Sequence, residues 1–82
     1  DITNGKKIVG TGTIDEDGSV GSIGGVKYKL NGAVRQKADV FLVPAGENYE
    51  EAMKEKKRKG YSIRIEAVAT FDDALKVLEK FS

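Results

Sequence analysis

Two lysines stand two residues apart where a helix is expected to start. They are Lys27 and Lys29 in Gly24-Gly25-Val26-Lys27-Tyr28-Lys29-Leu30, directly after a paired-glycine bend. The chain has no histidine and no cysteine, so the usual general base, the usual transition-metal ligands and a thiol nucleophile are all missing, and disulfides are excluded. Acid–base chemistry falls to Lys, Asp, Glu, Tyr, Ser or Thr. A lysine deprotonates a hydroxyl only when it is neutral near pH 7. Its ordinary pKa of about 10.4 must then drop by several units, through desolvation or nearby positive charge. Such a lysine needs an apolar flank and a hydroxyl or carbonyl to orient its amine. Helical spacing gives both lysines an apolar flank: Lys29 beside Val26 and Ala33, Lys27 beside Val34, on the two edges of one stripe. Periodicity does not choose between them, and a lysine at a helix start is ordinarily a solvated surface residue.

Other charged or glycine-rich stretches carry less. Gly24-Gly25 before a helix resembles a phosphate loop, but no GxxxxGK[ST] pattern accompanies it, and a tight turn accounts for the pair. Asp15-Glu16-Asp17-Gly18 lacks the ligand spacing of a calcium loop and reads as an acidic hairpin tip. The basic run Lys54–Lys59 is interrupted by Glu55 and has no aromatic platform, so a solvated helix face is expected rather than a nucleic-acid surface. A net charge of +1 gives no long-range field to recruit nucleic acid or an anionic membrane. No stretch approaches the ~20 apolar residues of a membrane span.

The elements that must hold these residues follow from pattern. Eighty-two residues form one domain or part of one, with a single modest core. After an Asn4-Gly5 turn, Lys7–Ile14 is β-prone, and Gly10 and Gly12 share one bare face of it. A turn at Gly18 returns Ser19–Ile23 as the partner strand of a hairpin. A helix is expected over about Val26–Lys37, weakened by Asn31-Gly32. Ala38–Val43, ending at Pro44, reads as a strand covered on both sides. Asn48, with Glu51 three residues on, is expected to cap the next helix, which carries Tyr49, Ala52 and Met53 inward and ends at Gly60. Ile63, Ile65, Ala67 and Ala69 alternate as the buried face of a third strand. Thr70 and Asp73 cap a last helix whose stripe is Phe71, Ala74, Leu75 and Leu78, extended by Phe81. The order is a β-hairpin followed by α-β-α-β-α, an α/β (α+β) sheet with helices packed on it.

Several of these pieces together resemble the proteolytic domain of the Lon proteases. The resemblance rests on Thr11-Gly12-Thr13-Ile14, Gly18, Val20, Ile23-Gly24-Gly25-Val26-Lys27-Tyr28-Lys29-Leu30 and Ala33, with Phe41-Leu42-Val43-Pro44, Asn48-Tyr49-Glu50-Glu51-Ala52 and Thr70–Leu75 following in order. It covers nearly the whole chain and looks closest to the Lon-like bacterial proteins that carry a PDZ domain and no ATPase module. It implies a two-layer sandwich and a Ser–Lys dyad that hydrolyses peptide bonds, with Lys29 as general base and Thr11 as the hydroxyl that orients it. The family's serine lies in an upstream P-S-A-G motif. Ser19, Ser22, Ser62 and Ser82 are not in that context. The chain is therefore expected to be the C-terminal part of such a domain and inactive alone. It begins at Asp1 without methionine and is expected to come from a longer protein. No cofactor is implied for this segment; ATP would enter only through a separate ATPase module. The expected partners are a polypeptide substrate and, through the face left open by the missing half, a second copy. Neither nucleic acid nor membrane contact is implied, and a cytoplasmic or membrane-anchored setting would suit the family equally. The runner-up reading is a non-catalytic interaction module of the same fold. The family's usual proline before Ile23 is replaced by Ser22, and Asn31-Gly32 replaces a small or apolar pair.

Overall fold

A computed structural model describes residues 5–81. Eight elements succeed one another: β1 (Ile8–Gly10), β2 (Thr13–Ile14), β3 (Val20–Gly21), α1 (Val26–Arg35), β4 (Val40–Pro44), α2 (Glu47–Lys59), β5 (Arg64–Val68) and α3 (Phe71–Lys80). Strands β1, β4 and β5 form a parallel sheet in that order, with Val9 opposite Phe41 and Phe41 opposite Ile65. β2 and β3 form a separate antiparallel pair.

The strand expected over Lys7–Ile14 is thus two strands in two sheets. The break falls at Gly12, whose φ of +118° no β-branched neighbour could adopt. Upstream of it Thr11 N–H donates to the Leu42 carbonyl and stays with β4; downstream, Thr13 pairs with Gly21. Gly10 and Gly12 therefore do not share one bare strand face. A Cβ on Gly12 would lie 3.0 Å from Val20 and 3.1 Å from Pro44, so this glycine lets the hairpin close over the strand ends. A Cβ on Gly10 would meet nothing nearer than Leu42 at 3.9 Å. Asn4 of the expected Asn4-Gly5 turn lies outside the described residues, as does Ser82.

Alternation along β4 builds two cores. Phe41 and Val43 point to one face, where Val26, Leu30 and Ala33 of α1 and Ala52 of α2 cover them. Val40 and Leu42 point to the other, where they meet Val68 and Val77 of α3. Helices on both faces make three layers where a two-layer sandwich was expected. The apolar run of β4 is buried at every position, as a strand covered on both sides requires. β5 differs from its expected single buried face: Ile65 is buried toward α1 and α2 and Val68 toward α3, while Ala67 and Ala69 are exposed. The stripe of α3 is rotated likewise. Val77 is its buried residue, with Ala74 and Phe81 beside it, and Phe71 and Leu75 are exposed.

Helix ends follow local chemistry where the chain supplies it. Thr70 Oγ1 accepts from Asp73 N–H, and the Asp73 carboxylate accepts from the Ala69 and Thr70 N–H groups, a complete capping box. Gly60 closes α2 in the left-handed conformation, after a last turn of four basic residues suited to the helix dipole. Lys37, at φ +61°, ends α1 earlier than its periodicity suggests, and the Lys7 ammonium donates to the Gln36 carbonyl there.

Candidate functional site

The two lysines that periodicity left tied are separated by the fold. Lys27 lies on the side of α1 that faces α2, in a groove of about 410 Å³ lined by Glu47, Glu50, Glu51 and Glu55. Lys29, 200° further round the helix, faces the C-terminal end of β1. It lines a groove of about 380 Å³ with Val9, Gly10, Thr11, Gly12, Gly32, Ala33 and Gln36. Lys29 and Thr11 thus share one groove, and Lys27 has no part in it. Among the described residues no carboxylate lines that groove. Gly32, one turn after Lys29, keeps the helical wall low: a Cβ there would meet only the tip of Arg35 at 3.8 Å.

Thr11 is half-buried, and its Oγ1 is shielded from solvent without any hydrogen-bond partner. The orienting bond from Thr11 to Lys29 is therefore not made in this structure. A buried hydroxyl left unpaired costs about 1–3 kcal/mol. Lys29 itself is exposed. The apolar cover that a lysine base requires is not supplied by residues 5–81.

None of the described serines completes the pair. Ser19 Oγ donates to Asp17 Oδ1 at 2.7 Å and to Asp15 at 3.2 Å, inside the β2–β3 turn. Those bonds, the Ser19 hydroxyl first and its N–H second, hold the Asp17 carboxyl below the usual range. The acidic tip is accordingly a self-satisfied turn, and no cluster of side chains among the described residues could hold a metal ion. Ser22 and Ser62 are exposed and lie outside the Lys29 groove. No helix among the described residues is long and apolar enough to cross a membrane.

The residues that place Lys29 differ from those the sequence pointed to. Asn48 does not cap α2; Gly46 occupies the cap position without a side-chain bond. The Asn48 carboxamide, 7% exposed, instead accepts from Ile23 N–H at 2.8 Å and donates to the Ile23 carbonyl at 2.9 Å. It grips the bend that feeds α1. Further along, Asn31 donates to Glu55 at 3.0 Å and accepts from the Tyr61 hydroxyl. Glu55, 2% exposed, also accepts from Arg58. The Asn31 amide and then Arg58 hold the Glu55 carboxyl below its usual range. A signal for both was present in the sequence: Asn48, Ala52 and Glu55 fall on one helix face, so two polar side chains accompany a core alanine inward.

No family model, curated protein or solved structure matches the chain. The reading of the groove rests on its own geometry and on the sequence pattern.

On the other face of the sheet, Gly10, Thr11 and Gly12 also border an apolar pocket of about 220 Å³, lined by Ile14, Val20, Leu42, Val68, Phe71 and Ala74. Its rim is open, with Ile14 61% and Phe71 46% exposed.

Proposed function

We propose that this chain is the lysine-bearing half of a Lon-type serine endopeptidase domain. The observation that carries the reading is the shared groove: of the two lysines in the G-G-x-K-x-K run, only Lys29 lines it with Thr11. That is the pair the sequence resemblance designates. In the intact domain a serine from the upstream segment attacks the substrate carbonyl while Lys29 accepts its proton. Lys29 returns that proton to the leaving amine, and water then hydrolyses the acyl-enzyme by the same relay. Thr11 Oγ1 gains its missing partner by orienting the Lys29 amine. The serine-bearing half supplies the cover that Lys29 lacks.

Among the described residues no serine lines the groove, and the chain alone is expected not to cleave peptides. Joined to its upstream segment it is expected to cleave an unfolded substrate such as casein, and Lys29→Ala is expected to abolish that cleavage. Full activity in the Lys29→Ala protein sinks the assignment, whereas Lys27→Ala is expected to retain most of it.

The open apolar pocket favours a second reading, a non-catalytic α/β module that uses this face for assembly. Self-association of the 82-residue chain through Ile14 and Phe71 belongs to both readings. Concentration-independent monomer behaviour in sedimentation removes it. An upstream sequence without the serine motif decides for the module.

A further inference from the structure

We infer that Asn48 is a positioning residue for Lys29, acting from α2 through the bend that starts α1. α1 has no side-chain cap of its own: its N-cap is Gly25, left-handed at φ +68°. Two consecutive glycines precede Val26, so the local chain leaves the direction of α1 poorly fixed. The constraint comes from elsewhere. Both backbone groups of Ile23 are held by one buried carboxamide that follows them by 25 residues. A single hydrogen bond would leave the peptide free to pivot; donor and acceptor together fix its plane.

The second polar tie, Asn31 to Glu55, lies on the same side of α1 as Lys27. α1 is thus gripped along its α2-facing side at its beginning and in its middle, and Lys29 projects from the opposite side toward Thr11. The core residues Val26, Leu30 and Ala33 seat the helix through non-directional apolar contact; the carboxamide is directional, so a roll would unpair both groups of Ile23. Asn48 touches neither the groove nor a substrate in it, so its influence on Lys29 is indirect. Its consequence for catalysis rests on the peptidase reading; its effect on the place of Lys29 does not.

Two measurements separate these. The chain is free of cysteine, so spin labels on Lys29→Cys and Ala67→Cys report only the distance from α1 to β5. The parent is expected to give a narrow distribution, Asn48→Ala a broad or shifted one, and Asn48→Asp, which keeps the acceptor and loses the donor, an intermediate one. Val77→Ala weakens the core on the other face of the sheet and serves as the control, expected to match the parent. A distribution in Asn48→Ala equal to the parent's overturns the inference, as does equal broadening in Val77→Ala. In the full-length protein, Asn48→Ala is expected to lower kcat roughly 10²-fold, the scale set by misplacement of about 1 Å, with KM little changed. A proportional loss in Val77→Ala, or an unchanged kcat in Asn48→Ala, overturns the catalytic consequence. Full activity in Lys29→Ala defeats the peptidase reading instead and leaves the distance result to stand.

Discussion

The helices α1 and α3 begin in different ways. α3 has a cap of its own: Thr70 Oγ1 accepts from Asp73 N–H and the Asp73 carboxylate from the Ala69 and Thr70 N–H groups, while Phe71 N–H donates to the Gly18 carbonyl and ties the same start to the hairpin. α1 has only glycine at its start, and its lead-in is held by a side chain from another helix. Both starts have a long-range tie, but the helix that bears the candidate base has no local side-chain cap beside it. A local cap secures a helix but leaves its orientation to packing. A distant clamp relates one element to another, and a site assembled from β1 and α1 needs that relation.

The largest effect expected from this contrast lies at Asn48. Asn48→Ala leaves the N–H and carbonyl of Ile23 unpaired in a partly buried bend and is expected to cost about 2–4 kcal/mol in urea unfolding. Thr70→Ala removes a cap and is expected to cost about 1 kcal/mol. Equal losses would erase the distinction between the two starts.

Next comes the strand end beside the groove. Gly12→Ala forces a side chain into the left-handed region and against Val20 and Pro44, for an expected loss of about 1–3 kcal/mol. Gly10→Ala, two residues earlier, meets only ordinary contact and is expected to stabilise by about 0.4–1 kcal/mol. A destabilised Gly10→Ala protein would show that the open side of β1 is less free than it looks.

Thr11→Val removes the unpaired buried hydroxyl. It is expected to raise the stability of the chain by about 1 kcal/mol and, on the proposed peptidase reading, to lower the activity of the intact domain. A variant that loses stability shows that the hydroxyl already has a partner.

The smallest effect is in the response to acid. Asn31 first, then Arg58, favour ionised Glu55, and backbone N–H groups of Ala69 first, then Thr70, favour ionised Asp73. Both folded carboxyls therefore titrate below their ordinary values of 4.5 and 3.8. Each contributes fully above its ordinary value, and its contribution fades as pH falls through the lowered one. Glu55→Gln is expected to flatten the fall in Tm that begins near pH 4.5, and Asp73→Asn the part that begins near pH 3.8. An unchanged acid limb in Glu55→Gln would mean that the tie between α1 and α2 does not depend on charge.

Elements written in adjacent residues were legible in the sequence: the capping box of α3, the glycine stop of α2, the doubly covered β4 and the glycine start of α1. Elements decided by tertiary partners were not. Asn48 stands where a capping residue would, and only Gly46 ahead of it, at φ +96°, shows that the cap was already taken. The face of α3 turns on Val77, which meets Val40, Leu42 and Val68 of the sheet, while Phe71 and Leu75 stay exposed. Asn31-Gly32 looked like a defect in α1. Asn31 is a tie to Glu55 and Gly32 a low wall of the groove. Periodicity left Lys27 and Lys29 equivalent and only the Lon-like pattern pointed to Lys29; in the fold the two lysines line different grooves.

The link between Ile23 and Asn48 also has a consequence in time. A polypeptide grows from its N-terminus, so the bend and all of α1 are made before the carboxamide that secures them. Through that interval the N–H and carbonyl of Ile23 lack the side chain that pairs them in the folded chain. Slowing elongation just before Asn48 would prolong that interval.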